Sequence, residues 1–265
     1  MVARIPFFPL DILFISAVKL TLPPSENESM SASGFLWKEG DGVYLVTNKH
    51  VVCGNEYVSS PKLVNHVKIA FNRFVGSRPS SKDPPTVKDL KREECKITLS
   101  ASNVYFHSDS EIDVAMVNAT ECKLMGSAVY PFTRDNLPPS DLILSPGDPL
   151  IVMGFPLDFY DHSTSLPIAR AATLSTPYGL KYNGRRLFLT DSILHPGTSG
   201  SPVIYDPRVM MRTLSGVAIG TRRPPFILGI HSGEDPTIFC KEDIHLNNAW
   251  YSQLIPEILS INGRV

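Results

Sequence analysis

Three short segments carry residue types that together could perform nucleophilic chemistry. Gly197-Thr198-Ser199-Gly200-Ser201-Pro202-Val203 sets a serine between two glycines, ahead of an apolar run. Thr47-Asn48-Lys49-His50-Val51-Val52 closes an apolar run with a histidine, and Ile112-Asp113-Val114-Ala115-Met116-Val117 embeds an acid in one. A serine hydroxyl is a weak nucleophile until an imidazole accepts its proton, and the imidazole needs a carboxylate to fix its tautomer and stabilise the imidazolium that forms. In the order His, Asp, Ser these residues are the three parts of a hydrolytic triad. Singly each is a weak signal: a lone histidine at a strand end is usually structural, and Gly-x-Ser-Gly is a common tight turn. The glycine two positions before Ser199 adds a second requirement, because it lets the backbone turn so that two N–H groups aim at one point.

These residues lie far apart in the chain, so the fold must assemble them. Twenty-three prolines and 17 glycines are more punctuation than a helical protein tolerates. Short β-favouring runs recur instead: Ile15–Leu20, Ser33–Trp37, Val43–Thr47, Val67–Phe74, Lys96–Phe106 and Val114–Val117, then Leu150–Met153, Ile168–Ser175, Arg186–Thr190, Val203–Tyr205, Leu214–Ile219 and Phe226–Ile230. Six runs and six runs predict an all-β protein of two antiparallel six-stranded barrels. Residues 1–118 form an arm and the first barrel with His50 and Asp113; 119–148, with Pro138-Pro139 and Pro146-Gly147, cross over; 149–265 form the second barrel with Ser199. Residues 76–95 read as a long polar loop, and Tyr182-Asn183-Gly184-Arg185 as a type I′ hairpin turn. The spacing of Trp250, Leu254, Ile258 and Ile261 predicts a C-terminal helix over Asn248–Ile261, with Pro256 a kink or a stop.

Bulk properties narrow the partners. A net charge of −1 and a pI near 6.7 make no case for nucleic acid or an anionic membrane surface. Arg222-Arg223 and the run Lys88 to Lys96 read as solvated loops, and no stretch approaches the ~20 apolar residues of a membrane span. Ile5 to Val18 is apolar, but Pro6, Pro9 and Asp11 interrupt it, so it is expected to be an arm leading into the first strand rather than a secretory leader. Cys53, Cys95, Cys122 and Cys240 contain no CxxC pair and are expected to be four reduced thiols of a cytoplasmic protein. In that setting the patterns Asn27-Glu28-Ser29 and Asn118-Ala119-Thr120 carry no glycan. Asp158, Asp161 and His162 share one polar loop without a further ligand set, so no metal and no cofactor are expected.

The motifs resemble the trypsin/chymotrypsin superfamily. Leu45-Val46-Thr47-Asn48-Lys49-His50-Val51-Val52, Asp113-Val114-Ala115, Gly154-Phe155-Pro156, Thr190-Asp191 and the Ser199 segment are similar to its bacterial trypsin-like branch, which includes the high-temperature-requirement proteases and the glutamyl endopeptidases. The resemblance implies a chymotrypsin-like double barrel and a serine endopeptidase acting on polypeptides. Ser199 would be the nucleophile, His50 the base, Asp113 its orienter, and Gly197 and Ser199 N–H the oxyanion hole. Two departures stand out. Thr198 occupies the place where digestive-type proteases carry an acid that pairs with a new N-terminus, and no PDZ-like segment follows the second barrel.

The same resemblance implies a substrate pocket from Ile193, Leu194, His231, Ser232 and Gly233, with Ser232 also bonded to Asp113. His231, in a Gly-x-His-x-Gly context, matches the specificity histidine of relatives that cut after Glu or Gln. Leu194 stands where those relatives carry a hydroxyl, so a small or apolar preference stays equally open. His195 is placed in the substrate groove or on the surface. The alternative to an active enzyme is a latent or inactive protease-fold module that works by binding, and a latent protease would be switched on by a regulatory protein partner or a stress signal.

Overall fold

The computed structural model describes residues 11–25, 28–54, 62–74, 90–124, 128–162, 164–208, 210–220, 223–233 and 245–264. It is a chymotrypsin-like double barrel. Seven antiparallel strands build the first half: β1 (Val18–Ser25), β2 (Glu28–Glu39), β3 (Gly42–Thr47), β4 (His66–Phe74), β5 (Leu90–Thr98), β6 (Val104–Phe106) and β7 (Ala115–Asn118). Their order is β5-β4-β1-β2-β3-β7-β6. The second half uses β8 (Pro149–Gly154), β9 (Ile168–Leu174), β10 (Leu187–Asp191), β11 (Pro202–Tyr205), a side hairpin of β12 (Met210–Thr213) and β13 (Gly216–Ile219), then β14 (Phe226–His231) and β15 (Leu246–Tyr251). Six of these close into a barrel in the order β10-β15-β14-β11-β8-β9. Two helices complete the chain, α1 (Lys49–Cys53) and α2 (Leu254–Ile261).

Alternation along the strands sorts side chains between two interiors and the seam that joins them. Leu20, Leu45, Ile69 and Val117 fill the first half, while Leu150, Phe188, Val203 and Leu228 fill the second. Phe35, Trp37, Phe132, Phe155, Ile204, Ile230 and Trp250 pack along the seam, where Leu254, Ile255, Ile258 and Leu259 of α2 join them. Phe35 and Phe132 meet edge to face with centroids 5.5 Å apart. Burying each such large apolar side chain stabilises the fold by about 2 kcal/mol, so the seam fixes the two halves as one rigid frame.

Several sequence expectations change. The run Lys96–Phe106 is two strands, not one. Asn103 accepts from Ser100 N–H at 2.9 Å and donates to Thr98 O at 2.9 Å, which turns the chain and gives the first half seven strands instead of six. Leu214–Ile219 belongs to the β12–β13 hairpin outside the barrel. The first half of the expected C-terminal helix is β15, because pairing with both β10 and β14 closes the barrel and outweighs the helical spacing. The helix starts at Leu254, so Pro256 falls in the first turn, where its missing N–H costs nothing. The Tyr182–Arg185 turn forms as expected, with Asn183 at φ 48° and Gly184 at φ 77°.

Cys95 on β5 and Cys122 in the 3₁₀ turn Thr120–Cys122 are joined as a disulfide with Cα atoms 5.8 Å apart, which corrects the expectation of four reduced thiols. Sequence spacing alone does not give cysteine pairing. Cys53 is a buried free thiol. Residues 1–10 of the arm, Asn27, 76–89 of the polar loop, Arg222 and Cys240 lie outside the described residues. Among the described residues no helix is long and apolar enough to cross a membrane.

Candidate active site

His50 sits in the first turn of α1, a one-turn helix anchored by buried Val51, Val52 and Cys53. Asn48, which precedes the helix, makes no capping bond; its Nδ2 instead donates to the Asp113 carbonyl at 2.8 Å. That bond ties the helix start to the segment entering β7, where buried Ile112 and Val114 flank the acid. Asp113 is itself buried. Its carboxylate receives three bonds: His50 backbone N–H to Oδ1 at 2.8 Å, His50 Nδ1 to Oδ2 at 2.7 Å, and Ser232 Oγ to Oδ2 at 2.6 Å. A carboxylate accepts only, so the His50 ring carries its proton on Nδ1 and presents Nε2 as a base.

Ser199 lies on the tight loop between β10 and β11. Thr198 donates to the His195 carbonyl from both N–H at 3.2 Å and Oγ1 at 2.7 Å, so the position of the missing acid is filled by a local turn. Gly200 has φ +86°, and a Cβ there would collide with Ser33 O and Thr47 Oγ1. The loop therefore packs directly on Thr47, three residues before His50. On its other side Gly200 N–H donates to His231 O at 2.9 Å, and His231 N–H returns a bond to Ser201 O at 2.9 Å. The segments carrying His50, Asp113, Ser199 and Ser232 thus converge at the seam.

Among the described residues, neither N–H group expected to bind an oxyanion has a protein acceptor. The Pro196 carbonyl accepts from Leu157 N–H at 2.7 Å, and the Thr198 carbonyl accepts from Ser201 N–H at 3.0 Å. In a trans peptide N–H and C=O point in opposite directions, so Gly197 and Ser199 N–H face away from those partners. Neither donates to an acceptor among the described residues. Gly197 has φ +95°, and a Cβ would strike the Phe155 carbonyl, which explains the need for glycine.

Sequence reasoning missed Ser33. It is fully buried and holds the loop from behind. Ser33 N–H donates to Ser199 O at 2.9 Å, Ser33 Oγ donates to Gly197 O at 2.7 Å and accepts from Phe155 N–H at 3.0 Å, and Ser33 O accepts from Thr47 Oγ1 at 2.9 Å. Nothing in the residue types around Ser33 marks it, since its role exists only after β2 and the β10–β11 loop have met.

A cavity of about 370 Å³ opens beside Ser199. Of the expected pocket residues, Leu194, His231 and Gly233 line it, as does His195. Ser232 is instead engaged with Asp113. Ile193 stands outside the lining; its side chain is 49 % exposed, and its carbonyl accepts from Arg170 at 2.5 Å. Asn247 on β15 also lines the cavity; it lies one residue ahead of the expected C-terminal helix, in a stretch to which the sequence assigned no element. His231 is buried; desolvation first, and the positive potential of His50 second, push its imidazole down to about 3, so it is neutral.

The chain belongs to the trypsin-like peptidase domain family, whose model matches residues 32–208. The family is one of trypsin-like peptidases. No curated protein sequence matches the chain. Among solved structures it is similar to the thermostable serine protease AL20 from an extremophilic microorganism, at 9 % identity and TM-score 0.54 over 95 % of this chain and 99 % of that one. It is also similar to the serine endoprotease of Yersinia pestis, at 14 % identity and TM-score 0.51 over 94 % of this chain and 62 % of that one. The active form of the Rv3671c protease of M. tuberculosis matches at 17 % identity and TM-score 0.46, over 94 % and 81 % of the two chains. At these identities the AL20 and Yersinia structures speak for the fold alone.

Proposed function

We propose that the protein is a serine endopeptidase that cleaves polypeptides through Ser199, His50 and Asp113. The observation that carries the proposal is the His50–Asp113 pair at 2.7 Å on a carboxylate already held by two further donors. Such a carboxylate fixes the imidazole tautomer in which Nε2 is basic. His50 Nε2 takes the Ser199 proton as Oγ attacks the substrate carbonyl. The oxyanion that forms is stabilised by Gly197 and Ser199 N–H, which have no protein acceptor among the described residues, and that supports the role. As the intermediate collapses, His50 passes the proton to the departing amine and leaves an acyl-enzyme on Ser199. Water, deprotonated by His50, then releases the acid. The side chain preceding the cut enters the cavity, where His231 offers a polar contact and Leu194 an apolar one.

A serine-directed phosphonate tests this on the full chain. The expected result is one adduct, mapped by mass spectrometry to Ser199, with labelling lowered roughly 10⁴-fold or more in His50→Ala. A folded wild-type protein that never labels at Ser199, while a related protease does, would refute it and leave a binding module.

A further inference from the structure

Asn247 and His231 reach the cavity from adjacent strands. His231 faces Ala249 across the β14–β15 ladder, and Asn247 lies two residues from Ala249 on the same face of β15. Both side chains line the cavity beside Ser199, and both are 1 % exposed. The Asn247 amide donates to Ser192 O at 2.7 Å and to His245 O at 2.9 Å. Both acceptors are carbonyls. A reversed amide would set oxygen against oxygen twice, so the orientation is fixed and both amide hydrogens are committed. Oδ1 is the remaining polar atom, and it has no partner among the described residues.

The His231 ring makes no hydrogen bond to a described residue, and its Nδ1 is buried without a partner. It stays neutral, as burial and His50 dictate. Among the described residues no lysine or arginine lines the cavity. A carboxylate entering here would meet an acceptor oxygen, an uncharged imidazole and, among the described residues, no cation. An apolar side chain would leave two buried polar groups unpaired, which is costly. A carboxamide satisfies both: its NH₂ donates to Asn247 Oδ1, and its oxygen accepts the imidazole N–H.

We propose that Asn247 is a specificity-determining residue that makes this a carboxamide pocket, selecting glutamine-type side chains before the cut and rejecting glutamate. The inference rests on Ser199 as nucleophile for its catalytic meaning, but the pocket can be read without turnover. Matched peptides differing only in Gln, Glu or Leu at that position would be compared by kcat/KM, with Ser199→Ala as control. Gln is expected to exceed Glu roughly 100-fold, and Asn247→Ala to reduce that ratio about tenfold. Ser199-dependent cleavage that favours Glu or Leu overturns the pocket assignment and leaves the endopeptidase standing. If Asn247→Ala does not fold, the wild-type ratio still decides. Should no peptide be cut, the affinity of Ser199→Ala for peptides ending in Gln or Glu separates the two ideas. Preference for Gln then supports the pocket alone, and equal binding overturns it.

Discussion

Replacing Ser33 with alanine removes a single oxygen, yet among the described residues that oxygen makes the only side-chain hydrogen bond from β2 to the oxyanion loop. It donates to Gly197 O at 2.7 Å and accepts from Phe155 N–H at 3.0 Å. The backbone bonds from Ser33 N–H to Ser199 O and from Thr47 Oγ1 to Ser33 O survive the change. Each lost bond is worth about 1 kcal/mol net, and the buried Phe155 N–H left without an acceptor adds about 1–2 kcal/mol. The total of roughly 3 kcal/mol divides between the whole fold and the loop. The Ser199 end stays anchored, so the freedom gained falls on Gly197, whose N–H must hold its aim. If half the cost appears there, the competent loop is disfavoured by about 1.5 kcal/mol, which is roughly a tenfold loss of rate. The assay is the second-order rate of phosphonate labelling at Ser199, measured beside the thermal midpoint. Ser33→Ala is expected to melt lower and to label about tenfold more slowly at a temperature where both proteins are fully folded. Labelling at the wild-type rate in the folded state would refute the claim that Ser33 orders the oxyanion loop.

Two further predictions concern stability. Glu257 of α2 pairs with Arg186 at 2.7 Å and with His107 at 2.9 Å; the Arg186 bond first, and then His107, outweigh the upward push of burial and bring its carboxyl down to about 2 from 4.5. A depressed folded pKa gives stability that is complete above about 4.5 and lost as pH falls through about 2, and partial exposure limits it to about 1 kcal/mol. Glu257→Gln is therefore expected to lose about that much in urea unfolding at pH 7 and almost nothing at pH 2; an equal loss at both would show that the charge is irrelevant. The Cys95–Cys122 bond closes a separation of 27 residues, for which loop entropy predicts about 3.5 kcal/mol. Dithiothreitol should lower the unfolding midpoint of the wild type but not of a Cys95→Ser/Cys122→Ser protein, and an unchanged wild type would mean that reduction costs the fold nothing.

What the sequence made legible follows from how local each signal is. The segments around His50, Asp113 and Ser199 are short, and each carries its own chemistry: a histidine closing an apolar run, an acid within one, a serine between glycines with φ +95° and +86°. Such features need no partner to be seen. The pairing of Cys95 with Cys122 and the four bonds of Ser33 are products of tertiary contact, and no local pattern announces them. Asn247 is the instructive middle case. Leu246–Tyr251 alternates, with Asn247, Ala249 and Tyr251 facing the barrel interior or the cavity, but Trp250, Leu254 and Ile258 also stand at helical spacing. The longer apolar rhythm across the strand-to-helix junction claims Asn248 onward for a helix, and that leaves Leu246-Asn247 too short a stub for its period of two to be read. Reading that segment as a strand would have put an asparagine at an inward position at the end of the barrel, beside His231. A buried amide there demands partners for its two N–H groups and its oxygen, and with both N–H groups committed the oxygen is left asking for a donor. Pocket chemistry was therefore encoded locally, but it became readable only once the correct period had placed the residue.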